Sequence, residues 1–264
     1  MRALAGGMGR NSTVARVAKL LTAIGHGRPG EGVSLRDISD ETGVHKATAF
    51  RLLNSLEHNG FIEKWPNGRF RIGPTLIELA SAYLDDLDVV EHAHTVLERL
   101  AAQTGETVHL AIPSASEVVY VDKVESSQSL RMVSRIGTRN PLHCTALGKA
   151  ILAHAGEDQL FRVVADGLPA RTKNTLATDE ALRADLAVVK SRGYATDREE
   201  NKPGICCVGA EIRDRRGRVV AAVSVSGPSV RMDETAQART GSAVRRAADE
   251  ISRRLGYQPV RTTP

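Results

Sequence analysis

The residues of this 264-residue chain best suited to chemistry cluster between Ser34 and His58. His45, Lys46 and Thr48 fall where a helix would begin, and the unpaired N–H groups of a helix start favour phosphate. Arg51 follows within two turns, and a guanidinium can bond a guanine edge in two places. Ala47, Arg51, Asn54 and His58 share one side of that helix, with Thr48 and Ser55 flanking. Ala49, Leu52, Leu53 and Leu56 share the other side. One face is core and the other is short and polar, so the chemistry on offer is the reading of base edges.

Other residues suggest catalysis only at first sight. Gly148-Lys149 could belong to a phosphate-binding loop. That pattern needs Gly five residues before Gly148, where His143 stands, and Ser or Thr where Ala150 stands. His143 and Cys144 could form a thiol dyad, but neighbours on a chain rarely face each other and no third group orients them. Cys144, Cys206, Cys207 and His143 match the spacing of no closed zinc site. No catalytic residue, metal or cofactor is expected.

A reading helix needs a scaffold to hold it. Ser34 can cap a short helix with Asp37 three residues on, and Leu35 and Ile38 turn inward. Gly43 makes the turn, and the second helix spans about 45–58. Upstream, Ser12 or Thr13 caps a helix carrying Val14, Val17, Leu21 and Ile24. Downstream, 61–63 and 69–72 read as strands around Pro66-Asn67-Gly68, a hairpin turn. That hairpin would be a wing, from which Asn67, Arg69 and Arg71 reach the sugar-phosphate backbone or the minor groove. Trp65 either joins them or packs under the wing. Arg16 and Lys19 are expected in solvent. The candidate DNA-contact set is Ser34, His45, Lys46, Ala47, Thr48, Arg51, Asn54, Asn67, Arg69 and Arg71.

Charge supports this placement. Residues 1–73 hold 11 Lys/Arg against 6 Asp/Glu, and the remaining residues hold 25 of each. The whole net charge of +5 therefore sits in the first quarter, as in a polyanion-binding module joined to a neutral one. Aromatic residues make up 3%, which argues against a stacking surface for single strands. Three cysteines, two of them adjacent, suit a reducing compartment. No apolar run reaches the roughly 18 residues of a membrane span, and the Gly-rich start lacks a signal-peptide core. A cytoplasmic protein with no membrane contact is expected.

Gly73-Pro74 closes the first module. Thr75 is expected to cap a helix with an apolar stripe of Leu76, Ile77, Ala80, Tyr83, Leu84 and Leu87, which packs either on a second copy or on its own domain. Beyond Val89 the pattern is mixed. Ala93, Val96, Leu97 and Leu100 mark a helix, and strand-like runs follow at 107–112, 118–122 and 130–134. Helices are expected at 145–154, 157–165, 179–192 and 234–255, with strands at 205–212 and 219–226 around a turn at 214–218.

Longer motifs carry a resemblance. In the first module they are Ser34-Leu35-Arg36-Asp37-Ile38, Thr42-Gly43-Val44-His45-Lys46-Ala47-Thr48, Arg51-Leu52-Leu53 and Leu56-Glu57-His58-Asn59-Gly60-Phe61-Ile62. In the second they include Gly105-Glu106-Thr107-Val108-His109-Leu110, Pro141-Leu142-His143-Cys144-Thr145-Ala146-Leu147-Gly148-Lys149-Ala150 and Ser224-Val225-Ser226-Gly227-Pro228. In order from about 12 to 256, these resemble the IclR-type transcription regulators.

The resemblance implies an α+β chain: an N-terminal winged helix-turn-helix, joined by a linker helix to a GAF-like α/β effector-binding domain with a mixed sheet. The implied divisions are an arm at 1–11, a DNA-binding domain at 12–73, a linker at 74–88, an effector domain at 89–258 and a tail at 259–264. Implied partners are double-stranded operator DNA, a small-molecule effector such as an organic acid, and further copies as homodimer or homotetramer. The implied activity is repression, with operator affinity changed by the effector. An activator, or a metabolite-binding enzyme-like module with a protein-contacting basic domain, is the alternative.

Carried across motif by motif, the implied effector pocket comprises Met132, Ala146, Leu147, Asp197, Ile205, Cys207, Ser224 and Ser226. Alternation along an apolar strand puts the Ser224 and Ser226 hydroxyls on one side. Ala146 and Leu147 begin a helix, which suits an anion. Asp197 opposes an anion unless it bonds a ligand hydroxyl or a backbone N–H. Cys206 and Asn201-Lys202-Pro203 depart from the family pattern.

Overall fold

The computed structural model describes residues 12–28, 30–85 and 88–258. The expected arm at 1–11, the tail at 259–264 and Leu87 of the apolar stripe lie outside them. The chain divides into two compact units, one up to residue 86 and one from residue 87.

The first unit runs α1 (Thr13–Gly25), α2 (Leu35–Thr42), α3 (Lys46–His58), β1 (Ile62–Lys64), β2 (Phe70–Ile72) and α4 (Pro74–Asp85). Ser12 caps α1 by accepting from the Ala15 N–H. Ser34 caps α2, accepting from the Asp37 N–H at 3.2 Å while its hydroxyl donates to the Asp37 carboxylate at 2.7 Å. Gly43 ends α2 at φ 68°, a left-handed conformation that costs a side-chain-bearing residue about 1–2 kcal/mol. Leu20, Ile38, Ala49, Leu53, Ile62 and Phe70 are buried together, so three helices and the hairpin share one core. Val33 and Phe70 exchange backbone hydrogen bonds at 2.8 Å, adding a second pairing to the wing.

Thr75 does not cap α4. Pro74 is already helical, and the Thr75 hydroxyl donates to the Asn59 carbonyl at 3.2 Å. Proline needs no N–H partner at a helix start, so it displaces the threonine from the cap position. α4 covers Pro74–Asp85 of the expected 74–88 linker, and the next described helix starts at Asp88.

The second unit runs α5 (Asp88–Thr104), β3 (Thr107–Ser114), β4 (Glu117–Val124), β5 (Arg139–Pro141), α6 (Ala146–Leu152), α7 (Glu157–Ala165), α8 (Asp179–Arg192), β6 (Ala195–Arg198), β7 (Ile205–Arg213), β8 (Val219–Pro228) and α9 (Glu234–Arg254). Its strands form one sheet in the order β5-β4-β3-β8-β7-β6. Every neighbouring pair is antiparallel, where a mixed sheet was expected. Tight hairpins join β3 to β4 and β7 to β8, and such turns impose antiparallel pairing.

The strand expected at 130–134 does not form. Leu130 and Val133 are both exposed, so no consistent face is buried. The Leu130 carbonyl accepts from Arg231 and the Ser134 carbonyl from Lys123, so side chains occupy acceptors a ladder would use. The outer edge of β4 pairs with β5 instead.

Alternation divides the sheet into two faces. Val108, Leu110, Val208, Ala210, Ile212, Val223 and Val225 face α5 and α9 and are fully buried. The other face carries His109, Tyr120, Asp197, Cys207, Ser224 and Ser226, with α6 lying across it. Gly209 permits that approach, because a Cβ there would stand 3.0–3.2 Å from the backbone of Ala146 and Leu147.

Candidate nucleic-acid interface and ligand cavity

In α3 the structure buries Ala49, Leu53 and Leu56 and partly buries Leu52. Lys46, Ala47, Arg51, Asn54 and His58 are exposed. His45 precedes the helix as its cap, with Nδ1 accepting from the Ala47 N–H at 3.4 Å. Arg16 and Lys19 of α1, expected in solvent, line one notch with His45, Thr48 and the Thr42–Val44 turn. Arg16 is partly buried there.

The wing arginines are engaged within the chain. Arg69 donates to the Gly32 carbonyl through Nε and Nη2 at 3.2 and 3.1 Å. Arg71 pairs with Glu63 and lies over the Trp65 ring, 5.3 Å from its centroid. Asn67 accepts from the Arg69 N–H at 3.0 Å, fixing the hairpin tip. Trp65 is partly buried beneath the wing and packs near Gly32. Ser34 spends its hydroxyl on the α2 cap.

In the second unit, Met132, Ala146, Leu147, Asp197, Ile205, Cys207, Ser224 and Ser226 line one narrow cavity of about 20 Å³. Tyr120, Thr145, Asn201 and Lys202 complete its walls. Register explains the grouping. Asp197 stands opposite Cys207, and Cys207 opposite Ser226, so three adjacent strands present one polar row.

The floor is polar but almost free of charge. Ser226 meets His109 Nδ1 at 3.4 Å, and Ser134 meets His109 Nε2 at 2.7 Å. Burial, with Lys123 adding to it, pulls the His109 imidazole down to about 4, so it is neutral and offers one donor and one acceptor. Burial pushes the Cys207 thiol well up, and Asp197 adds to this. A thiol, not a nucleophilic thiolate, faces the cavity. Burial also raises the Tyr120 hydroxyl, keeping it a phenol.

Asp197 is buried, and its carboxylate accepts from the Glu200 N–H at 2.7 Å and the Asn201 N–H at 3.4 Å. Burial, reinforced by nearby Glu200, raises it to about 7. The backbone contact answers how an acid can stand beside an anion-favouring helix start. Thr145 caps α6 and satisfies the Gly148 N–H at 3.1 Å, leaving the Ala146 and Leu147 N–H groups with no helical partner.

A second layer holds this wall. Lys149, 1% exposed, pairs with Glu200 at 2.6 Å and Asp185 at 3.0 Å. Its ammonium is therefore committed to protein carboxylates and not to a phosphate. Thr172 and Thr175 donate to the Glu199 and Glu200 carbonyls at 2.7 and 2.6 Å. His143 meets the Pro169 carbonyl at 3.2 Å, a structural contact.

A family model for the IclR helix-turn-helix domain matches residues 13–66, and one for the bacterial transcriptional regulator IclR C-terminal domain matches residues 81–253. The chain belongs to the IclR family. It is a DNA-binding transcriptional regulator, and its relatives are regulators, not enzymes. It is similar to the regulator XynR of Escherichia coli, 36% identical over 85% of this chain and 90% of that one. It is 36% identical to the repressor AllR of Salmonella typhimurium, over 88% and 86%. The crystal structure of the Thermotoga maritima IclR covers 93% of this chain and 99% of its own, at 37% identity and a TM-score of 0.74. An IclR homolog from Microbacterium hydrocarbonoxydans, crystallised with 4-hydroxybenzoate, covers 92% and 99% at 27% identity and a TM-score of 0.79.

In this IclR-family chain, sequence reasoning missed Tyr120, Thr145, Asn201 and Lys202 in the cavity wall. Tyr120 carried a signal, as the one hydroxyl in an apolar strand. Asn201 and Lys202 stood out only as a departure from the family pattern, because the turn after β6 sets their position. β6 itself was missed, being four residues long and as polar as a loop.

Proposed function

We propose that this regulator is a repressor that binds double-stranded operator DNA through α3, and that a small organic acid or related metabolite in the second-unit cavity tunes its affinity. The observation that carries the DNA half is the solvent-facing, basic side of α3. Arg51 and Asn54 stand clear of the core there, with His45, Lys46, Ala47 and Thr48 at its start. Arg51 reads a guanine edge, and Lys46 and the Arg16–Lys19 notch meet phosphates. Ser34, Asn67, Arg69 and Arg71 hold the scaffold and wing in place for that contact. Residues 12–73 are the reading domain, 74–88 the linker and 89–258 the effector domain.

The ligand half rests on the convergence of Ser224, Ser226, Asp197, Cys207, Ile205, Met132, Ala146 and Leu147 on one cavity. The two unpaired N–H groups at the start of α6 receive a carboxylate, and the serines and Asp197 bond hydroxyl or keto groups. The bound 4-hydroxybenzoate of the Microbacterium homolog supports a ligand of that class. The name of AllR supports repression. The regulator works in the cytoplasm as a homodimer or homotetramer. Ile77, 65% exposed on α4, supports a contact between copies.

The test uses the full chain. A duplex enriched from a random pool should bind with affinity that falls steeply as salt rises. Arg51→Ala should lose about 1–3 kcal/mol of discrimination at one base pair per half-site. Lys46→Ala should weaken all sequences alike. Titrating 4-hydroxybenzoate and a panel of two- to six-carbon keto and hydroxy acids should shift duplex affinity for at least one. Undiminished selectivity in Arg51→Ala removes the reading assignment, and a panel with no effect removes the proposed ligand class.

A further inference from the structure

Phe50 stands apart from every other large apolar side chain of α3. It is 44% exposed, whereas Leu53 and Leu56 are buried and Leu52 is partly so. It also falls outside the core shared by the helices and the hairpin. At 100° per residue, Phe50 sits on the flank of the exposed face, with Lys46 one turn before it and Arg51 beside it. On that flank the wing strand β1 brings Lys64, whose Nζ lies 5.8 Å from the Phe50 ring centroid. The ring is thus presented among cations, on the side of the helix that bears Ala47, Arg51 and Asn54.

An aromatic ring held open in such a setting has one chemically matched feature on duplex DNA. The major groove is lined by polar base edges, and its apolar group is the C5-methyl of thymine. We propose that Phe50 is a specificity-determining residue that reads a thymine methyl next to the base pair contacted by Arg51. Lys64, held against the same ring, meets a phosphate at the edge of the groove. This rests on α3 being the reading helix. It adds a base preference that Arg51 and Asn54 do not supply, because the methyl is what separates thymine from cytosine or uracil for an apolar probe.

The experiment removes that methyl and nothing else. Full-length protein selects a duplex from a random pool, and each thymine of one half-site is then replaced in turn by deoxyuridine. Wild type should lose about fourfold in affinity at one position, the weight of one buried methyl-sized group. Phe50→Ala should bind the parent duplex more weakly and treat thymine and deoxyuridine alike at that position. Phe50→Leu should keep part of the discrimination. Far-ultraviolet circular dichroism and the melting temperature of both variants check that the exposed site leaves the fold intact. Wild type indifferent to deoxyuridine throughout, or Phe50→Ala retaining the full fourfold effect, overturns the proposal while leaving α3 as the reading helix. A pool with no enriched duplex overturns both.

Discussion

Lys149 and Glu200 meet at 2.6 Å with both side chains out of water, joining the helix that roofs the cavity to the turn that carries its acidic wall. Lys149 follows Ala146 and Leu147 by less than one turn. The Glu200 backbone N–H is the one that Asp197 accepts. A single ion pair therefore ties two cavity walls together from behind.

Removing one partner of such a pair leaves the other charge buried, which costs about 3–5 kcal/mol. Lys149→Met should destabilise the second unit by that amount in urea or thermal unfolding. Lys149→Met combined with Glu200→Gln should recover a large part of the loss, because the more deeply buried of the two orphaned carboxylates is gone. A double variant no more stable than the single one removes the pair from this role.

Asp197 makes stability depend on pH. Its folded value of about 7 lies above its ordinary value near 4, because burial and then Glu200 disfavour the carboxylate. A raised carboxyl contributes stability that is fully present below its unfolded value and is lost as pH rises through about 7. Asp197→Asn mimics the protonated form and keeps the oxygen that accepts the Glu200 N–H. Its melting temperature should gain on wild type between pH 5 and pH 8, by the equivalent of a few kcal/mol. A constant difference across that range counts against the buried acid.

Gly148 lies where α6 crosses Leu142, and a Cβ there would overlap the Leu142 backbone. Gly209 is less crowded. Gly148→Ala should cost about 1–3 kcal/mol or more and displace α6, whereas Gly209→Ala should cost less. Both should weaken any ligand that stabilises the wild-type chain against heat, since α6 carries the Ala146 and Leu147 N–H groups. Equal stability of the two variants contradicts this ranking.

Ser34→Ala should lower stability of the first unit by about 1 kcal/mol, the usual weight of an N-cap. Ser34→Thr should retain most of the cap, because its hydroxyl can both accept from the Asp37 N–H and donate to the Asp37 carboxylate. Chemical denaturation of the two variants checks this.

Local chemistry explains which parts could be read beforehand. The α2 cap, the Gly43 turn and the two faces of α3 depend on residues within one or two turns of each other, so Ser34, Gly43, Leu53 and Arg51 announce themselves. The Ser224–Ser226 alternation is equally local. Three features depend on distant partners. β5 exists because β4 offers an edge, the 130–134 segment is no strand because β5 has taken that edge, and β6 is polar but covered by α6 and α8. The joining of Lys149 to Glu200 and Asp185 spans 51 and 36 positions and has no trace in either local motif. The cavity residues came from likeness to a family, and only the two serines had independent support from spacing.

β8 serves two compartments with alternate residues: Val223 and Val225 go to the helices, Ser224 and Ser226 to the cavity. The two sets can drift separately. A lineage can trade one serine for another small polar residue and reshape the cavity floor without disturbing a single packed valine. An insertion of one residue before Val223 would do the reverse, turning hydroxyls into the core and methyls toward the cavity. Such a strand is tolerant of spelling changes and intolerant of frame changes, which is the property a sensor needs to diversify while remaining foldable.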